Sequence, residues 1–122
     1  MLVVEGHGDT LELNQRLLWM HGADVRAASS GAEALRLLDA WHPRALLTEL
    51  HLPDMSAYDL ARRVNERAAS PIRMVAASAD ARPSERERAL RDGFCAYLTK
   101  PIHPDDLCRA LARVLAQSLL SF

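Results

Sequence analysis

The stretch ALLTELHLPDM, residues Ala45–Met55, contains the strongest indication of the fold. It begins with an apolar run that does not alternate with polar residues, which is typical of a strand that other elements cover on both faces. The run leads to Glu49, and a proline follows four residues after that glutamate. The pattern therefore predicts a buried parallel strand that ends by delivering a carboxylate to the edge of a sheet.

Short apolar runs alternate with helical patterns on both sides of this stretch, as they do in βαβ units around a parallel sheet. The predicted strands are Leu2–Glu5, Val25–Ala28, Arg44–Leu50, Ile72–Ala77 and Ala96–Thr99. The predicted helices run from Asp9 to Gly22, from Ser30 to Trp41, from Ala57 to Ala68, from Pro83 to Asp92 and from Pro104 to Leu120. Five strands and five helices predict an α/β doubly wound sandwich that forms a single domain over residues 1–122.

Composition and charge exclude several classes of function. The chain is 49% hydrophobic and 25% charged, which is ordinary for a globular domain. Its formal net charge of −1 supplies no basic field for nucleic acid or an anionic membrane. No apolar run is long enough for a membrane span, and the sequence opens directly into a strand-like segment. We therefore expect a cytoplasmic location, with no nucleic-acid or membrane partner for this domain.

Ligands of open α/β sheets bind beyond the carboxyl ends of the strands. In this chain the first predicted strand ends at Glu5, the third ends near Glu49, and the fifth is followed by Lys100. Two carboxylates and one ammonium should therefore meet in one crevice. The residues alone leave two interpretations open, a cation site and a structural salt-bridge cluster.

The order and spacing of several segments resemble the receiver domain of two-component response regulators. The matching segments are LVVE, ASSGAEAL, ALLTELHLPDMSAYDLARR, PIRMVAASAD and DGFCAYLTKPIHPDDL. The resemblance covers essentially the whole chain and implies a flavodoxin-like (βα)5 fold with strand order 2-1-3-4-5. In that family an aspartate at the end of the third strand takes a phosphoryl group from a histidine kinase with the help of Mg²⁺. The implied partners are proteins, namely a histidine kinase, an output domain or another regulator.

The resemblance assigns functional positions that this chain fills in part. The phosphoacceptor position holds Glu49 in place of aspartate, and the position of a threonine or serine after the fourth strand holds Ala76. The family lysine is present as Lys100, and its bond to Pro101 is expected to be cis. Tyr97 occupies the family's aromatic switch position.

The Mg²⁺ position of the family is also altered. By resemblance it falls on Glu5, on Gly6 where the family has a second acid, on Glu49, and on the main-chain carbonyl of His51. Mg²⁺ requires near-octahedral oxygen ligands, and the glycine removes one carboxylate from the set. We therefore expect no bound cofactor, although the family uses Mg²⁺.

We interpret the sequence as a degenerate receiver domain that acts through protein contacts without phosphorylation and without enzymatic activity. Two alternatives remain at this stage. Glu49 could mimic a phosphorylated residue and hold the domain in its "on" state. Alternatively, Glu49 or the neighbouring Asp54 could still accept a phosphoryl group with Mg²⁺.

The predicted helix from Pro83 to Asp92 is rich in charge. In the receiver family this helix, the fifth strand and the last helix form the output or dimer surface. The charged residues expected there are Arg86, Arg88, Arg91, Arg109, Arg113, Glu85, Glu87, Asp92, Asp105 and Asp106. Mixed charge of this kind suits a twofold homodimer, and it is equally typical of a solvated helix face.

Overall fold

The structure, a computed structural model, describes residues 1–6, 8, 24–67 and 71–119. Its described elements are, in chain order, β1 Leu2–Val4, β2 Arg26–Ala28, α1 Gly31–Leu38, β3 Ala45–Glu49, α2 Ala57–Arg67, β4 Arg73–Ser78, α3 Pro83–Arg91, β5 Ala96–Thr99 and α4 Pro104–Leu119. The helix predicted from Asp9 to Gly22 lies outside the described residues. None of the helices in the described ranges combines the length and the apolar character that a bilayer span needs.

The five strands form one parallel sheet with the order β2-β1-β3-β4-β5, which confirms the predicted fold. The central strand β3 pairs with β1 on one side and β4 on the other, so that Glu49 lies opposite Ala77. Strand β5 pairs with β4, and Ala76 lies opposite Tyr97. Because all strands run in the same direction, their carboxyl ends meet at one edge of the sheet.

Both faces of the sheet are covered, as the uninterrupted apolar run in β3 predicts. Leu46 faces a core that includes Leu60 of α2 and Ala89 of α3. The next residue, Leu47, faces a second core that includes Leu107 of α4. The alternation places neighbouring residues of one strand in different cores, which explains why Ala45, Leu46 and Leu47 are apolar at consecutive positions.

The start of α1 follows the capping pattern in part. The Ser30 hydroxyl accepts a hydrogen bond from the Glu33 backbone N–H at 3.1 Å, as predicted. The Glu33 carboxylate, however, accepts from the backbone N–H and hydroxyl of Ser29 rather than from Ser30. The prediction that this helix continues to Trp41 was wrong, because α1 ends at Leu38 with Asp39 as its C-cap.

Candidate functional site at the carboxyl edge of the sheet

The three charged residues predicted to meet at the strand ends lie in direct contact. Lys100 donates a hydrogen bond from Nζ to Oε2 of Glu5 at 2.5 Å, and the same ammonium forms an ion pair with Oε2 of Glu49. The exposed fractions of the side chains are 3% for Glu5, 11% for Glu49 and 19% for Lys100. The structure therefore brings together a largely buried cluster of two carboxylates and one ammonium.

The electrostatics of this cluster keep the lysine charged. Burial by itself lowers the pKa of Lys100, but the contacts with Glu49 and Glu5 and their negative charges outweigh burial and raise the pKa above its ordinary value. Among the described residues, Oε2 of Glu49 has no partner in hydrogen-bond geometry. Its contact with the ammonium is therefore held by charge attraction, and one ammonium serves two buried acids.

The position of the family's second acid lies against the side chain of Pro53. A β-carbon placed on Gly6 would lie 3.1 Å from Cδ and 3.4 Å from Cγ of Pro53. The distance to Cδ is tighter than ordinary van der Waals contact, so a larger side chain at this position requires the Pro53 ring to shift slightly. His51, in the same loop, is exposed, and its backbone pairs with Ser56 in an isolated antiparallel bridge.

The position expected to carry a hydroxyl holds a buried methyl group. Ala76 has 0% exposure in β4, between Thr48 of β3 and Tyr97 of β5. The hydroxyls next to it along the sheet are engaged with the backbone: Thr48 donates to the carbonyl of Glu49 at 2.9 Å, and Ser78 accepts from the N–H of Asp80 at 3.1 Å.

Tyr97, at the predicted switch position, is buried with 4% exposure. Its hydroxyl donates a hydrogen bond to the backbone carbonyl of Asp80 at 2.5 Å. Burial raises the pKa of Tyr97 above its ordinary value. The adjacent bond from Lys100 to Pro101 is cis, which confirms the expectation from the resemblance. Sequence reasoning missed Asp80 and its partner Arg82; the available signal was a short acid–arginine spacing immediately before the proline that opens α3.

Asp54, one of the alternative phosphoacceptors, is engaged elsewhere. Its two carboxylate oxygens accept hydrogen bonds from the backbone N–H groups of Gly31 and Ala32, both at 2.9 Å. These bonds to Ala32 and Gly31 lower the pKa of the Asp54 carboxyl. The side chain therefore caps α1 and connects the loop after β3 to that helix.

The charge-rich helix α3 presents its residues to two different sides. Arg86 lines a recess of about 530 Å³ together with Leu90 and with Arg109 and Arg113 of α4. We call this surface the α3–β5–α4 face. The other side of α3 contacts α2 through Tyr58, because Arg88 lies 4.1 Å over the Tyr58 ring and Glu85 accepts a hydrogen bond from its hydroxyl. Arg88 and Glu85 are thus directed toward α2, which corrects the expectation that they belong to the α3–β5–α4 face.

Comparisons with known proteins found similar sequences over most of the chain. Residues 1–112 match the response regulator receiver domain family. The chain is 38% identical over 110 residues to an uncharacterized 14.6 kDa protein from the sodA1 3′ region of Leptolyngbya boryana, covering 89% of this chain and 84% of that protein. It is 32% identical over 115 residues to the sensor protein EvgS of Escherichia coli, covering 93% of this chain but 9% of that protein.

Solved structures support the same fold. The crystal structure of a CheY-like response regulator receiver domain protein from Methanospirillum hungatei superposes on this chain with a TM-score of 0.88. The two chains are 22% identical, and the match covers 99% of this chain and 96% of the other.

Proposed function

The chain belongs to the response regulator receiver domain family, and we propose that it serves two-component signalling as a degenerate receiver, a regulatory protein-interaction domain that works without phosphorylation. The observation that carries this proposal is the ion cluster of Glu5, Glu49 and Lys100. The family lysine, Lys100, is here paired with two carboxylates of its own chain.

The residues at the family's Mg²⁺ position do not fit the ion. Glu5 and Glu49 each direct an oxygen to the ammonium of Lys100, and Gly6 supplies no carboxylate. Mg²⁺ requires a nearly octahedral shell of oxygen atoms and gives up its water reluctantly. We therefore propose that the domain binds no Mg²⁺ tightly and needs no cofactor.

The acceptor position itself argues against phosphoryl transfer. The carboxylate of Glu49 stands one methylene further from the backbone than an aspartate would, and a misplacement of about 1 Å can cost about a hundredfold in rate. Catalysis of phosphoryl transfer is almost entirely positioning and neutralisation of charge, and Ala76 offers no hydroxyl to the group. We propose that the domain is not an enzyme and does not phosphorylate itself.

The α3–β5–α4 face is the proposed contact surface for protein partners. Among the described residues, Leu90 is the large hydrophobic side chain that stands exposed, at 41%. It borders the recess that Arg86, Arg109 and Arg113 also line. We propose a histidine kinase, an output domain or another regulator as partner; the alternative is a homodimer through the same face. Sedimentation equilibrium of the wild type and of Leu90→Asp tests the homodimer, which predicts weaker self-association of the variant.

Beryllofluoride, an analogue of a bound phosphoryl group, tests the central proposal. With Mg²⁺ present, it should leave the amide NMR spectrum of the wild type unchanged, and incubation with a small-molecule phosphodonor should add no phosphoryl mass. Resonance shifts that begin at residue 49 and extend to Tyr97 would contradict the proposal. So would a phosphoryl group mapped to the loop after β3.

A matched control restores the family residues. The triple variant Gly6→Asp, Glu49→Asp, Ala76→Thr should respond to beryllofluoride, whereas Glu49→Asp alone should respond weakly because two defects remain. An equal response of the single and the triple variant would show that the glutamate is the only defect.

Glu49→Gln tests the alternative that Glu49 mimics phosphorylation. We expect unchanged partner binding, and an altered association constant would favour the mimic.

A further inference from the structure

The loop between β4 and α3 connects the backbone of Lys100 to the side chain of Tyr97. Lys100 donates its backbone N–H to the carbonyl of Ser78 at 2.8 Å. The Ser78 hydroxyl, which is 1% exposed, accepts the N–H of Asp80, and the Asp80 carbonyl accepts the hydroxyl of Tyr97. The Asp80 carbonyl is therefore the acceptor of the buried tyrosine hydroxyl, which also lies within hydrogen-bond reach of the Ser78 side chain at the end of β4.

The side chain of Asp80 binds Arg82, two residues further along the same loop. Its Oδ1 accepts the backbone N–H of Arg82 at 3.0 Å and the Nε of the same residue at 3.0 Å. Its Oδ2 accepts Nε at 3.0 Å and Nη2 at 2.6 Å. Bidentate pairing of a guanidinium with a carboxylate adds geometric specificity to the attraction between the two charges. We call this arrangement the Asp80–Arg82 clamp.

We infer that the Asp80–Arg82 clamp holds Tyr97 in its buried position and so sets the state of the α3–β5–α4 face without any group at the acceptor position. The inference rests on the proposed function, because it explains how a domain that takes no phosphoryl group can hold one state. The hydroxyl that would otherwise connect the acceptor to the switch is absent at Ala76, which lies opposite Tyr97 in the sheet.

The clamp reaches the proposed contact surface through Tyr97. The tyrosine lines the recess of that surface, and its backbone carbonyl accepts a hydrogen bond from Nη1 of Arg86 at 3.4 Å. Arg82 also accepts the backbone N–H groups of Glu85 and Arg86 at its carbonyl, which ties the clamp to the first turn of α3. A change in the loop would therefore alter both the ring and the arginine beside it.

Fluorine NMR at neutral pH tests the inference. The chain has two tyrosines, so Tyr58→Phe leaves Tyr97 as the only site for incorporated fluorotyrosine. In this background we expect one resonance well separated from its position in the urea-unfolded protein. Asp80→Ala should shift it toward the unfolded position. Arg82→Ala should shift it less, since the backbone N–H of residue 82 still bonds to Asp80.

Two further variants make the result specific. Asp80→Asn keeps an acceptor for the Arg82 N–H but loses the charge, so its shift should resemble that of Arg82→Ala. Arg62→Ala removes a comparable exposed ion pair with Asp59 at 2.9 Å on α2 and should leave the resonance in place. Circular dichroism confirms that each variant is folded. A resonance that stays unchanged in folded Asp80→Ala would overturn the inference.

Beryllofluoride added to the same samples separates this inference from the proposed function. If beryllofluoride shifts the Tyr97 resonance of the protein with an intact clamp, the phosphorylation-independent role is refuted, even if Asp80→Ala also shifts that resonance. If neither beryllofluoride nor Asp80→Ala shifts the resonance, the role of the clamp alone is refuted.

Discussion

Replacing Lys100 by methionine should destabilise the domain more than replacing Glu49 by glutamine. The substitution keeps most of the side-chain volume and removes the ammonium. Glu5 and Glu49, only 3% and 11% exposed, would then lose the positive charge that they share. Breaking a buried pair in this way costs about 3–5 kcal/mol. That is a large fraction of the roughly 5–15 kcal/mol by which a domain is stable.

Replacing Glu49 by glutamine, which removes a negative charge instead of the positive one, should have a small effect on stability. Glu49→Gln removes one of the two negative charges that contact the Lys100 ammonium. The hydrogen bond from Lys100 to Glu5 at 2.5 Å remains. Glutamine keeps one neutral side-chain oxygen that can still accept from the ammonium. Because a charge-balanced pair remains, we expect a cost of about 1 kcal/mol or less.

Urea denaturation followed by circular dichroism at pH 7 measures both values. Alkaline pH adds a second signature. The pKa of Lys100 is raised in the folded state, because the contacts and charges of Glu49 and Glu5 together exceed the opposing effect of burial. The contribution of Lys100 to the free energy of unfolding is therefore fully present below the pKa of lysine in the unfolded chain, about 10.4, and is lost as the pH rises through its pKa in the folded state. The methionine variant should lack this alkaline loss. A cost below about 1 kcal/mol for Lys100→Met, or an equal cost for Glu49→Gln, would refute the reasoning.

Other single contacts make independent predictions. Asp54→Ala should cost about 1 kcal/mol, since two 2.9 Å bonds to the first turn of α1 are lost; an unchanged urea midpoint would contradict this. Gly93→Ala should cost about 1–2 kcal/mol, because Gly93 has a φ of +106°; a thermal melt equal to that of the wild type would show that the backbone relaxes. Burial and the hydrogen bond to Glu85 raise the pKa of Tyr58 to about 12. Tyrosinate absorbance should therefore show that Tyr58 ionises at a higher pH than a free tyrosine. The contribution of Tyr58 to stability should be fully present below about pH 10 and should be lost as the pH rises through 12. Tyr58→Phe should therefore lose less stability over this range.

Most of the sheet could be predicted from the chain, because its signals are local. The unbroken apolar run of β3 indicates burial on both faces, and Leu46 and Leu47 do face different cores. The Ser30 cap was likewise readable from its spacing to Glu33. The end of α1 was not, because apolar residues continue to Trp41 whereas the helix ends at Leu38. Trp41 packs against the core from the following turn, with the guanidinium of Arg26 4.5 Å from its ring centre.

The sequence by itself determined that Glu5, Glu49 and Lys100 lie at one edge of the sheet, because parallel strands end together wherever their residues fall along the chain. Only the tertiary structure decided that one ammonium is shared by both acids across 95 residues of sequence. It also decided that Pro53 lies against Gly6 and that the carbonyl of Asp80 accepts a hydrogen bond from the tyrosine hydroxyl. The ends of the strands can be predicted from the periodicity of the sequence. The partners of the side chains depend on the path of the loops, and that path is set by hydrogen bonds that form only when the chain has folded.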